Sequence, residues 1–155
     1  MRLVVSGRGT YDIRHVVFDM NGTIAVDGEL IEGVAERLSR LRTSTSLAMI
    51  TADTHGGASR LTYELDLETV ILQPGYEAEQ KREFVSRLGA EHTVAIGNGA
   101  NDVLMLEESA IGICVVGAEG ASTAALLAAD VVVTSIGNAL DLLLTPRRLI
   151  ATLRR

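Results

Sequence analysis

The chain has 155 residues, 47% of them hydrophobic and 22% charged, and carries a formal net charge of -6. That length suits one domain around one core and leaves no room for a separate substrate domain, so residues 1–155 are expected to form a single unit. The acidic balance gives no electrostatic reason to bind nucleic acid or an anionic membrane, and 3% aromatic residues offer little for stacking on bases. No apolar run approaches the roughly 20 residues of a membrane helix, and the start MRLVVSGRG lacks the apolar stretch of a signal peptide, which together predict a cytoplasmic protein.

In chain order, Leu3 to Val5 and then Ile13 to Phe18 read as strands, the second ending abruptly at Asp19. From Ile31 to Leu41 the residues Ile31, Val34, Ala35, Leu38 and Leu41 fall on one helical face and the charged residues on others, the pattern of an amphipathic helix. The alternation continues with a strand at Leu47 to Ile50, a helix at Ala58 to Leu65, a strand at Thr69 to Leu72 and a helix at Glu77 to Leu88 closed by Gly89. Next come a strand at Thr93 to Ile96, a helix at Asn101 to Glu108 and a strand at Ile111 to Val116. A helix at Ser122 to Ala128 and a short strand at Val131 to Val133 follow, and a terminal helix at Arg147 to Arg154 opens at Pro146. Strands alternating with helices predict an α/β fold with a mainly parallel sheet covered on both faces, and such sheets bind ligands beyond the carboxyl ends of their strands.

Chemistry concentrates on that edge. VVFDMNGT (Val16 to Thr23) sets Asp19 at a strand end before an Asn-Gly turn, although a strand-ending Asp before an ordinary turn has the same look. MITADT (Met49 to Thr54) ends a strand at Thr51, while Asp53 or Thr54 could equally cap the helix that follows. GNGAND (Gly97 to Asp102) follows another strand. It is not a dinucleotide-binding loop, because Asp102 stands where the third glycine would be required. Lys81 is the only lysine among 14 basic residues. A compact ammonium approaches a phosphoryl oxygen and a carboxylate together where a planar guanidinium does not fit, although a solvated helix lysine is the bland alternative. Cys114, the only cysteine, falls in an apolar run and reads as a buried strand residue; His15, His55 and His92 lack partners at zinc-ligand spacing.

The order D-x-N-G-T, T-x-D, a lone lysine and G-N-G-x-N-D resembles the haloacid dehalogenase superfamily over nearly the whole chain. Within it the chain is most similar to the phosphorylation domain of P-type ATPases, and to the predicted family called soluble P-type ATPases. The resemblance implies a Rossmann-like sheet without a cap domain, and a Mg2+-dependent phosphatase acting through a phosphorylated Asp19. The implied catalytic residues are Asp19, Asn21, Thr51 and Lys81. Gly22, Thr51, Ala52 and Lys81 would hold the phosphoryl group, and Asp19, Asn21, Asn98 and Asp102 the metal. Two positions depart from the family by exchanging a carboxylate for its amide. Asn21 cannot act as the usual general acid and base, and Asn98 is a neutral, weaker ligand for Mg2+.

The spacing between Asp19, Thr51 and Lys81 leaves no room for a cap or for an inserted ATP-binding module. The expected partner is a phosphorylated substrate of unspecified identity, with no nucleic acid and no membrane, and an open site on a small domain suggests a homo-oligomer. A catalytically weak phosphate-binding or regulatory module is the alternative from another class. A response-regulator receiver is disfavoured because its acidic residues come in a different order.

Overall fold

A computed structural model describes residues 1–52 and 57–155. Asp53 and Thr54, read above as possible helix caps, lie outside the described residues. The chain opens with an antiparallel hairpin of β1 (Arg2–Val5) and β2 (Gly9–Asp12), then enters the main sheet at β3 (His15–Asp19). A second small hairpin, β4 (Ala25–Val26) with β5 (Glu29–Leu30), precedes α1 (Val34–Leu41). From there strands and helices alternate: β6 (Ser46–Thr51), α2 (Ala58–Leu65), β7 (Glu68–Ile71), α3 (Glu77–Leu88), β8 (Thr93–Gly97), α4 (Val103–Glu108) and β9 (Ile111–Val115). The chain ends with α5 (Thr123–Ala128), β10 (Val131–Val133), α6 (Ile136–Leu144) and α7 (Pro146–Leu153).

The main sheet has six parallel strands in the order β10-β9-β8-β3-β6-β7. The chain leaves β3 towards β6 and β7 on one side and returns to β8 on the other. The order therefore reverses at β3, and the crevice beyond the carboxyl ends of β6, β3 and β8 is where such a sheet accommodates a ligand. Both faces are covered, which is why the strands read as unbroken apolar runs. On one face Val16, Phe18, Met49 and Ile96 pack against Leu38 of α1, Leu61 of α2 and Leu140 of α6. On the other, Val17, Ile50, Ala95 and Cys114 pack against Phe84 and Val85 of α3, Met105 of α4 and Ala125 of α5. Because side chains alternate along a strand, Asp19 shares the side of Val17 and so faces α3, the helix that carries Lys81.

The expected elements hold with shifted boundaries, and two of the differences have physical causes. The strand expected over Ile13 to Phe18 begins at His15, because residues 9–12 pair with β1 and the chain crosses between the two sheets at Ile13 and Arg14. The helix expected from Ile31 begins at Val34, because Gly33 adopts a left-handed conformation (φ 77°) and the Ile31 amide bonds back to the Ile24 carbonyl at 3.0 Å. The helix expected from Asn101 opens with a 3-10 turn, Ala100–Asp102. Helix α6 was not anticipated, although Ile136, Ala139, Leu140 and Leu143 carry its spacing and the Ser135 hydroxyl accepts from the Asn138 amide at 3.1 Å as an N-cap. Among the described residues no helix is long and apolar enough to cross a membrane.

Gly112 lets α4 pack close against the sheet. A Cβ there would stand 2.7 Å from the Leu106 carbonyl oxygen, a backbone atom that cannot yield without moving the helix. Gly112→Ala is expected to destabilise the fold by about 1 to 3 kcal/mol, read as a lower urea midpoint at unchanged slope.

Candidate active site

Three strand ends and one helix build the site. At the end of β3, Asp19 is 9% exposed, and the next residues turn sharply: the Ile24 and Ala25 amides both donate to the Met20 carbonyl at 3.0 Å, and the Gly22 amide donates to Ala25 at 2.8 Å. Gly22 sits at φ 76°, and a Cβ on it would lie 2.4 Å from the Asn98 side-chain nitrogen and 2.8 Å from a Glu119 carboxylate oxygen. Conformation and space both demand glycine at this point. The turn faces Asn98, whose side-chain oxygen accepts from the Thr23 hydroxyl at 3.2 Å and whose nitrogen donates to the Gly120 carbonyl at 3.3 Å.

Lys81 lies beneath this turn, 1% exposed, with its ammonium 2.6 Å from Asp19 Oδ1 and 2.6 Å from Asp102 Oδ1. The other Asp102 oxygen accepts from the Asn98 and Gly99 amides at 2.9 and 2.8 Å, so the carboxylate holds both the lysine and the loop after β8. Gly97 permits this closeness, since a Cβ there would fall 2.5 Å from the Asp102 carboxyl carbon.

Above the triad opens a cleft of about 260 Å³ lined by Asp19, Asn21, Thr51, Ala52 and Asn98. Gly99, Asn101, Glu77 and Glu119 complete its wall. Of the residues singled out from the sequence, Lys81 and Asp102 stand behind Asp19 rather than in this lining, and Gly22 borders a neighbouring apolar recess. Gly99 and Asn101 belong to the GNGAND run, where they were given no role of their own, and Glu77 and Glu119 lie outside every motif. Glu77 could have been singled out, because it precedes Lys81 by four residues and shares its helix face; its carboxylate accepts from the Asn101 side chain at 2.9 Å. Glu119 belongs to the loop after β9 and carries no local signal.

Burial is the main cause that pushes the Asp19 carboxyl up to about 7, and the nearby Asp102 charge adds to it against the opposing pull of Lys81 and the Met20 amide. Burial alone would lower the Lys81 ammonium, but the two carboxylates outweigh it and raise it above the usual lysine value, so it remains charged. The triad is thus one cation against two acids.

The donor set suits a hard divalent cation, which prefers oxygen ligands. Asn21 Oδ1 is buried and accepts no hydrogen bond among the described residues, and it shares the cleft with the Asp19 carboxylate and the Asn98 amide. Among the described residues no group of three or more His, Cys, Asp or Glu converges into a metal cluster, so any such ion would rely partly on neutral amides.

No protein-family model matches the chain. The 3-deoxy-D-manno-octulosonate 8-phosphate phosphatase of Moraxella catarrhalis, solved with magnesium, phosphate and KDO, superposes with a TM-score of 0.70 at 20% identity, over 93% of this chain and 95% of that one. The chain has the haloacid dehalogenase-like fold in its capless form. It belongs to one family with the uncharacterized protein MJ0073 of Methanocaldococcus jannaschii, 54% identical over 84 residues that take in 52% of this chain and 90% of that protein. A probable copper-exporting P-type ATPase of Archaeoglobus fulgidus is 35% identical over 98 residues, 62% of this chain but only 12% of the transporter.

Asp19 links the site to stability. Its folded value lies above its free value of 3.8, so the fold disfavours the charged form: this contribution is complete below about pH 4 and is lost as pH rises through about 7. The stability of Asp19→Asn relative to the wild type should therefore rise between pH 4 and pH 8, by about 1 to 4 kcal/mol in urea unfolding with chelator present. A pH-independent difference would mean that burial does not govern this carboxylate.

Proposed function

We propose that the protein is a Mg2+-dependent phosphomonoester hydrolase that works through a phosphorylated Asp19. The observation that carries the reading is the buried Lys81 ammonium bridging Asp19 and Asp102 at the switch point of the sheet, because a cation so placed holds a nucleophilic carboxylate in one orientation at the floor of a polar cleft. The likeness of the fold to known phosphatases supports it.

In this reading an Asp19 carboxylate oxygen attacks phosphorus and the bond to the ester oxygen breaks, giving an acyl phosphate and an alcohol. The Thr51 hydroxyl and the Gly22 and Ala52 backbone would meet the phosphoryl oxygens, with Lys81 neutralising charge from below. A bound Mg2+ would offset the charge of the phosphoryl group, held by Asp19, Asn21 and Asn98 while Asp102 fixes the loop from behind. Asn21 has no exchangeable acid proton, so the leaving oxygen takes its proton from water. A second water then attacks phosphorus, releasing phosphate and restoring Asp19. The direct test is phosphate release from a panel of phosphomonoesters with and without Mg2+. Release should need the metal and vanish in Asp19→Asn; equal release from that variant would overturn the reading.

The two amides also favour a second reading, a phosphate-binding or regulatory module of the same fold with little turnover. Positioned acid–base catalysis is typically worth about 100- to 10,000-fold, so Asn21→Asp should accelerate turnover of an alkyl phosphate, and more than that of an aryl phosphate with its better leaving group. No acceleration of either ester would remove Asn21 from the leaving-group position.

A further inference from the structure

The charges around the cleft are one-sided. Its lining holds three carboxylates, Asp19, Glu77 and Glu119, and no basic side chain among the described residues. All thirteen arginines of the chain are described, and none lines the cleft; the single lysine lies behind Asp19 with its ammonium already shared between two acids. The two glutamates stand in different places from Asp19. Asp19 is at the buried floor, whereas Glu77 is partly exposed on α3 and Glu119 is exposed on the loop after β9. Their surroundings differ. Glu77 is fixed by the Asn101 side chain at 2.9 Å, and a Glu119 oxygen overhangs Gly22, 2.8 Å from where a Cβ would stand.

In the phosphatase reading, a phosphoryl group at Asp19 would leave the rest of its ester towards the cleft opening, whose wall includes these two carboxylates. Reaction at the floor does not require them, since neither is needed to hold Lys81 or to orient Asp19. What they change is the potential met by the leaving alcohol. We propose that Glu77 and Glu119 form a charge filter that selects phosphomonoesters of alcohols carrying an ammonium group and rejects those carrying a carboxylate or a second phosphate. The inference rests on the phosphatase reading of the same cleft and adds the class of substrate to it.

The size of the effect follows from Coulomb's law. Two unit charges about 7 Å apart, at an effective dielectric between 20 and 80, change a rate or binding constant about 3- to 50-fold, and reversing the sign of the substrate charge counts the effect twice. The solvent-exposed position of Glu119 makes part of this sensitive to salt.

The test compares three esters of similar size with the full chain and Mg2+: phosphoethanolamine, ethyl phosphate and phosphoglycolate, with an aryl phosphate as the check on hydrolysis itself. The expected order of kcat/KM is phosphoethanolamine, ethyl phosphate, phosphoglycolate, with at least about tenfold between first and last. In the double variant Glu77→Gln, Glu119→Gln that ratio should fall to about threefold or less, and Glu119→Lys should bring phosphoglycolate level with or above phosphoethanolamine. Raising the salt to about 0.5 M should narrow the wild-type ratio. Cleavage of the aryl phosphate with phosphoglycolate turned over as fast as phosphoethanolamine, or a ratio unmoved in the double variant, would overturn the filter while leaving the phosphatase reading intact. Failure to cleave any of the four esters would remove both.

Discussion

The Lys81 ammonium, 2.6 Å from each of two carboxylates and 1% exposed, sets requirements on three separate parts of the chain. An unpaired buried charge costs several kcal/mol, so the lysine is tolerable only with its partners in place, and each partner comes from a different element. Asp19 must end β3 on the side that faces α3, α3 must pack so that Lys81 points down the sheet, and the loop after β8 must fold back to present Asp102. The same arrangement leaves one negative charge in excess. Burial, with that excess added to it, is why the Asp19 carboxyl rises to about 7.

Asp102 shows how one side chain joins site and scaffold. One oxygen meets Lys81 and the other receives the Asn98 and Gly99 amides, so the acid fixes the backbone from which the Asn98 side chain projects into the cleft. Asn98 in turn is held by Thr23 and Gly120, which ties the turn after β3 to the loop after β9. An amide suits this position because it donates and accepts at once, which an ionised carboxylate cannot do. What the chain forgoes is the extra negative charge that would draw a divalent cation more strongly.

Asn21 is the counterpart on the other wall. Its buried side-chain oxygen has no donor among the described residues, an arrangement that costs stability unless something in the cleft satisfies it. With Asp19 and Asn98 beside it, the cleft carries oxygen acceptors at its floor and carboxylates at its mouth. Such a surface favours cationic chemistry throughout: in the proposed reading, a divalent ion below and an ammonium group above.

The sequence by itself determined the alternation of strands and helices, the parallel sheet and the order of motifs along its edge. Each of these follows from local periodicity or from a short run such as DMNGT or GNGAND. It also singled out Lys81, because one lysine among thirteen arginines is a compositional signal that needs no structure to read. Helix α6 shows the limit of such reading, since its apolar spacing was present but nothing local required it to pack. Tertiary structure alone decided that Lys81 and Asp102 stand behind Asp19 and not in the cleft wall, because that depends on how α3 crosses the sheet. It alone brought in Glu119, 22 residues beyond Gly97 and on another loop, over the glycine that makes room for it. The charge at the mouth of the cleft is a sum over elements distant in sequence, and a sum of that kind exists only once the chain has folded.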